Sequence, residues 1–425
     1  MIAFAAKLAR LPLLLPAALI ALAARVLWYF GVKVKFSNFL SSRIGHLVGN
    51  TEVYLCEVDA GLHEGIHIWT HYGEPASKQI ARMYARVMHI WPQRLMTLAI
   101  LLNKSFPGWE KHEIGSSTLD RDPRNLLARH RSHLRFTDRE MTRGEAQLRE
   151  WGLSRGAQWV CLMVRDGAYL PSLSYHSYRD CDVDTYADAA LMLAERGYYV
   201  FRMGKVVAKP FAAKHPRIFD FAGTDMYSDF MAVYLGAYCA FCVTTSTGWD
   251  AIPQAFRRPM CYTNFVPFEY LPTWLPNSLA IWKHHEKDGP TGPKRMTVAE
   301  IAESGAGRFM RADEFERAEI KLIDNTPAEI TEVVREMADM MVSQTHPGDQ
   351  KAFWDAFPRH VEGSMPLHGE IRLRVGTTFL RGYDAEREED TGRDTGARRL
   401  EAGADEERND LQAQRHLQVS GGMGD

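Results

Sequence analysis

Between residues 159 and 264 the sequence repeats one pattern: a short, unbroken apolar run, a stretch with helical spacing, then the next run. The runs are residues 159–164 (WVCLMV), 198–201, 218–221, 238–243 and 259–262. A strand that is apolar along its whole length must be covered on both faces, as happens when helices pack on both sides of a parallel sheet. Amphipathic stretches at 184–196, 228–236 and 248–256 supply the covering helices. The pattern restricts this part of the chain to a doubly wound α/β unit.

The first 110 residues alternate more loosely. Residues 32–36 read as a short strand, followed by a polar loop and a helix-like stretch to Asp59. Residues 65–70 (GIHIWT) read as a strand, and 77–87 and 95–103 as helices. Thr137 and Glu140 form a capping box that opens a helix ending near Gly152. A length of 425 residues suggests two or three folded units. The expected organisation is a membrane anchor at 1–31, a first α/β lobe at 32–152 and a second α/β lobe at 156–345. A C-terminal helix and return segment at 346–383 and a disordered tail at 384–425 complete it. The tail is expected because it holds no aromatic residue and is dominated by charge and glycine. Apolar residues at 46 % and charged residues at 24 % exclude a polytopic membrane protein. A net charge of −2 argues against nucleic acid as a partner, and six cysteines are too few for a disulfide scaffold.

That net charge hides an asymmetry. Residues 1–51 hold Lys7, Arg10, Arg25, Lys33, Lys35 and Arg43 and no acid, so this stretch is +6 and the remainder −8. Residues 11–24 are uncharged and almost wholly Leu, Ala and Ile, and apolar character resumes after Arg25. A cleaved signal, a single span and an in-plane anchor all fit this composition. The expectation is a retained segment holding the protein at the cytoplasmic face of a bacterial inner membrane.

In open α/β sheets, ligands bind at the carboxyl ends of the strands. The residues just beyond the runs are Arg165 and Asp166, then Arg202 and Gly204, then Thr244, Thr245, Ser246, Thr247 and Gly248, then Asn264. Two guanidinium groups, a hydroxyl-rich turn at a helix start and a glycine suit a phosphate or diphosphate. Arg179, in the loop after the first run, joins the candidate binding set. Asp166 is a candidate general base for an acceptor hydroxyl, and His46 a second. Cys239 and Cys242 have CxxC spacing but lie in an apolar run and read as core. Asp182 and Asp184 read as helix-capping acids, and His284-His285 as part of a charged loop. No metal site or cofactor is expected.

Several of these residues sit in longer motifs: Val164-Arg165-Asp166-Gly167-Ala168-Tyr169-Leu170, His176-Ser177-Tyr178-Arg179-Asp180, Arg202-Met203-Gly204, Ser246-Thr247-Gly248 and Arg43-Ile44-Gly45-His46-Leu47. Together they resemble a family of bacterial glycosyltransferases associated with surface polysaccharide gene clusters, over about residues 36–382. This chain departs from that family at Asp180, where asparagine is more usual. The resemblance implies two Rossmann-like lobes of the GT-B kind with the cleft between them. It also implies a nucleotide-sugar donor as co-substrate, a glycan or lipid-linked acceptor, and no metal. A transferase of another group on the same scaffold, or a membrane-tethered binding protein without catalysis, is the alternative reading.

Overall fold

The computed structural model describes residues 11–114, 121–169, 171–289, 292–343, 348–359, 361–362 and 365–383. The head of the expected anchor, 1–10, and the expected tail, 384–425, lie outside the described residues. The chain divides into two units, Met1–Gly376 and Thr377–Asp425. In the second, residues 377–383 are helical and the rings of Phe379 and Tyr383 lie 5.1 Å apart. Everything below concerns the first.

The first unit is mixed α/β and holds two parallel sheets. The smaller has the order β1 (Val34–Phe39), β2 (Ile66–His71), β3 (His89–Ile90). The larger is seven-stranded. Its strands are β4 (Trp159–Met163), β5 (Tyr199–Arg202), β6 (Ile218–Asp220), β7 (Phe241–Thr244), β8 (Met260–Phe265), β9 (Leu279–Trp282) and the short strand Arg374–Val375. Its order is Arg374–Val375, β9, β8, β7, β4, β5, β6, with all pairs parallel. From β4 the chain builds outward through β5 and β6. It then crosses back to β7 on the other side of β4 and builds outward again. The strand order therefore reverses between β4 and β7.

The helices begin where the capping chemistry places them. Ser77 accepts from the Ile80 amide at 3.2 Å and opens helix Lys78–Tyr84. Ser228 accepts from the Met231 amide at 3.1 Å and opens Asp229–Tyr238. Thr137 and Glu140 form the reciprocal box of Asp138–Glu150. Thr326 and Glu329 do the same for Pro327–Ser343, through the Thr326 amide at 2.7 Å and the Glu329 amide at 3.2 Å.

Two stretches differ from the sequence reading. β1 continues to Phe39, through residues expected in a loop, because Phe36 and Phe39 are buried. The proline-rich region after Asn264 is not loop alone. It adds β9 to the large sheet and forms an antiparallel sheet of β10 (His284–Gly289), β11 (Gly292–Arg295) and β12 (Ile320–Ile323). His284 and His285 are buried within β10, where His284 Nε2 meets Glu329 Oε1 at 2.8 Å.

One apolar cluster joins the two sheets' surroundings. Leu47, Val48 and Tyr84 pack with Val233, Ile252 and Ala255, which lie on helices covering the large sheet. Polar ties support it: the Gln79 amide donates to Asp229 Oδ2 at 2.8 Å, and Arg257 Nη2 to Glu52 Oε1 at 2.8 Å. Leu367 and Glu370 fold back against Arg121 and Asn125: Arg121 Nε donates to the Leu367 carbonyl at 3.1 Å, and Asn125 Nδ2 to that of Glu370 at 2.8 Å.

Candidate functional site

A cavity of about 400 Å³ opens at the strand-order reversal. The carboxyl ends of adjacent parallel strands diverge there, because their outgoing connections run to opposite faces of the sheet. The two strand ends are stapled together. The Arg165 amide donates to Thr245 Oγ1 at 2.8 Å, and the Thr245 amide to the Met163 carbonyl at 3.2 Å. Thr244 and Thr245 are buried, and Thr245 makes the staple. Ser246, Thr247 and Gly248, beyond them, line the cavity.

The turn after β7 is built by its own side chains. Thr247 and Asp250 form a reciprocal capping box, and Thr244 Oγ1 donates to Asp250 Oδ1 at 2.7 Å. Burial pushes the Asp250 carboxyl up to about 6. Ser246 takes a left-handed conformation at φ 63°, and its carbonyl accepts from Arg179 Nη2. The turn then enters a 3₁₀ turn (Gly248–Asp250) and the helix Ala251–Ala255, so an amino-terminal helix end faces the cavity.

A second helix end meets the first. The chain leaving β1 enters a π-helical turn (His46–Asn50) that continues as helix Thr51–Asp59. Its start, at Gly45, touches Gly248. A Cβ on Gly45 would sit 3.0 Å from Gly248 Cα and 3.2 Å from its carbonyl oxygen. Only two glycines allow the backbones this close. Two positive helix ends thus face the same space.

Side-chain cations complete the field. Arg43, Arg165 and Arg179 line the cavity with His176. Burial pushes the His176 imidazole down to about 4, and the charges of Arg179, Arg165 and Arg43 push in the same direction. The imidazole is therefore neutral at pH 7, and the cavity is cationic without it. Asp180 offsets part of this charge through Arg165 Nε at 3.0 Å. Tyr169, Tyr227, Tyr270 and Trp274 line the same cavity and offer flat apolar faces.

The structure brings together most of the sequence candidates: His46, Arg165, Asp166, Arg179, Gly204, Ser246, Thr247 and Gly248 all line the cavity. Three do not. Arg202 is fully buried, its Nη1 donating to Asp220 Oδ1 at 3.2 Å and its Nη2 lying 3.8 Å from Asp166 Oδ2. It is the last residue of β5 rather than the first beyond it, and it carries the loops from below. Asn264 is buried and exchanges hydrogen bonds with Asn325, its amide donating to Asn325 Oδ1 at 2.6 Å and its Oδ1 accepting at 2.5 Å. Thr245 is the staple described above.

Asp166 also differs from expectation. Its Oδ1 accepts from the Ala168 amide at 3.0 Å and its Oδ2 from the Ala208 amide at 2.9 Å. Both oxygens fix loops that border the cavity, which suits a positioning carboxylate better than a base. Among the described residues, His46 makes a long contact, Nδ1 to Asn50 Oδ1 at 3.4 Å. Arg43 was missing from the binding set. Its signal was its place directly before the helix start in Arg43-Ile44-Gly45-His46. Asp182 caps the turn at Val183–Tyr186, Asp184 lies within it and accepts from the Ala212 amide at 3.1 Å, and both pair with Lys209, each at 2.6 Å.

Among the described residues, Glu52, Cys56 and His133 are grouped closely enough to share an ion. Arg257 Nη2 already bonds two of them, 2.8 Å from Glu52 Oε1 and 3.4 Å from Cys56 Sγ. A fixed guanidinium there opposes a second cation.

No family model matches the chain, and no curated protein matches it. Among solved structures, it is similar to a family 9 glycosyl transferase from Veillonella parvula DSM 2008, at 12 % identity and TM-score 0.42, over 73 % of this chain and 97 % of that one. It is also similar to ADP-heptose LPS heptosyltransferase II of E. coli, at 15 % identity and TM-score 0.41, over 73 % and 99 %. A third is the iron-containing dodecameric glycosyltransferase TibC of enterotoxigenic E. coli H10407, at 12 % and 0.35, over 72 % and 76 %.

Proposed function

We propose that the chain is a glycosyltransferase of the GT-B kind that holds a nucleotide-sugar donor by its diphosphate in this cavity. The observation that carries the reading is the convergence of Arg43, Arg165 and Arg179 with two helix ends at the strand-order reversal. A diphosphate gains charge as it leaves, and fixed cations and helix amides stabilise that charge without reorganising. The sugar as transferred group follows from the motif resemblance set out above, as does a glycan or lipid-linked acceptor. In the proposed step an acceptor hydroxyl attacks the anomeric carbon. The bond to the diphosphate breaks with its electron pair, and the hydroxyl proton passes to His46. Asp166 keeps the two loops in place. No cofactor takes part in this reading.

A thermal-shift panel of UDP, GDP, ADP and CDP on the full chain tests the reading. One nucleoside diphosphate is expected to raise the melting temperature, and its monophosphate to do so far less. No stabilisation by any of them at millimolar concentration would sink the proposal.

His176 provides a second readout. A bound dianion opposes the three guanidinium charges, so it raises the imidazole pKa from about 4. Binding near pH 5 is then expected to take up a proton, and affinity to rise as pH falls toward 4. At pH 7.5 the imidazole is neutral before and after, and contributes no uptake. Calorimetry in buffers of different ionisation enthalpy reads the difference, and His176→Gln should abolish the protein's share of it. Unchanged uptake in that variant would remove His176 from the account.

A further inference from the structure

Helix Leu11–Tyr29 is long and apolar enough to cross a membrane by length and composition, but its two sides differ. Ala17, Ala21 and Ala24 are buried, and Ala17 and Ala24 share a cluster with Met96 and Ala99 of helix Gln93–Lys104 and with Val34 and Phe36 of β1. The alanine stripe lets the helices approach closely. Arg25 is spent on the same contact. Its Nε donates to Asn103 Oδ1 at 2.9 Å, its Nη2 to the Asn103 carbonyl at 3.1 Å and its Nη1 to the Pro107 carbonyl at 3.1 Å. The guanidinium lies 5.2 Å from the Phe106 ring centre. The other side is apolar and open: Leu15 is 70 % exposed, Tyr29 89 % and Phe30 78 %, with Leu19 and Leu22 beside them. Phe106, next to Arg25 though far along the chain, is 54 % exposed.

We infer that this helix stays docked and that its open side, extended by Phe106, lies in the face of an anionic lipid bilayer rather than crossing it. A spanning helix is surrounded by lipid. To span, this one would have to strip Met96, Ala99, Val34 and Phe36 of their cover and carry Arg25 into hydrocarbon without its carbonyl partners. An in-plane helix ordinarily needs a polar upper face. Here the protein body replaces it, which is why the buried side is alanine rather than lysine. Charge selects lipid over a second copy of the chain. Lys7 and Arg10 directly precede the helix in sequence and no acid occurs before Glu52, so two copies meeting here would bring like charges together, whereas anionic headgroups pair with them. Tyr29 and Phe30 suit the headgroup level. This surface shares no residue with the cavity lining, and the inference stands or falls independently of the transferase reading.

Vesicle sedimentation of the full chain tests it, with phosphatidylcholine alone and with about a quarter phosphatidylglycerol. The parent chain is expected to bind the mixed vesicles and to bind pure phosphatidylcholine less. Leu19→Asp with Leu22→Asp should lower binding about tenfold or more, since each leucine loses its apolar transfer. Phe106→Asp should also lower it severalfold; the leucine variant should keep the parental melting temperature, and Phe106→Asp should lose only the Arg25 ring contact. Full binding by Phe106→Asp, resistance of the bound chain to alkaline extraction, or self-association without vesicle binding would each overturn the inference.

Discussion

Arg202→Ala is expected to destabilise the fold by about 3–5 kcal/mol in urea unfolding, because it strips one partner from a buried charge cluster. Arg202 is fully buried against Asp220 and Asp166 and reaches both. Asp220 also accepts from the Phe211 amide at 2.8 Å, and Asp166 from that of Ala208. Losing the guanidinium therefore loosens the segment between β5 and β6 that borders the cavity. By sequence alone Arg202 joins the binding set, where its loss would spare the fold. A variant of parental stability that had lost nucleoside diphosphate binding would restore Arg202 to the site.

Arg43→Ala and Arg165→Ala are each expected to weaken nucleoside diphosphate binding by roughly 10- to 150-fold, the worth of a hydrogen bond to a charged group at about 1.5–3 kcal/mol. Transfer should fall by about 10²-fold or more, because the lost cation faces the charge that grows in the transition state. Arg43 is exposed at the cavity rim, so its removal should leave the unfolding midpoint unchanged. Arg165 is paired with Asp180, and its removal should cost some stability as well. Parental affinity in both variants would show that the cationic field is not a diphosphate site. Isothermal calorimetry and unfolding on the same preparations separate the two effects.

Much of the large sheet was legible before any coordinates. Residues 159–164 and 238–243 are apolar throughout, and only a strand covered on both faces tolerates that. The residues beyond β4 and β7 were therefore correctly placed at a sheet edge. Arg202 was misplaced because a strand's last residue and the first residue beyond it look alike in sequence, and here the strand runs on through Arg202, whose side chain enters the interior. Asn264 was misplaced for a related reason: a polar residue at a strand end can serve a neighbouring chain segment, here Asn325, as well as a ligand. β10 and β11 were missed because a charged, solvent-facing hairpin carries no apolar period.

By itself the sequence determined the strand–helix alternation, the capped helix starts, the basic and acid-free first 51 residues and the arginine and hydroxyl candidates. All of these are local, because they depend on the spacing of neighbouring residues and on side chains meeting their own backbone. Only the tertiary structure decided which candidates share a cavity. The contact of Gly45 with Gly248, the gathering of Arg43 with Arg165 and Arg179, and the docking of Leu11–Tyr29 on Gln93–Lys104 join segments far apart along the chain. Such contacts depend on how whole elements pack, and no local spacing encodes them.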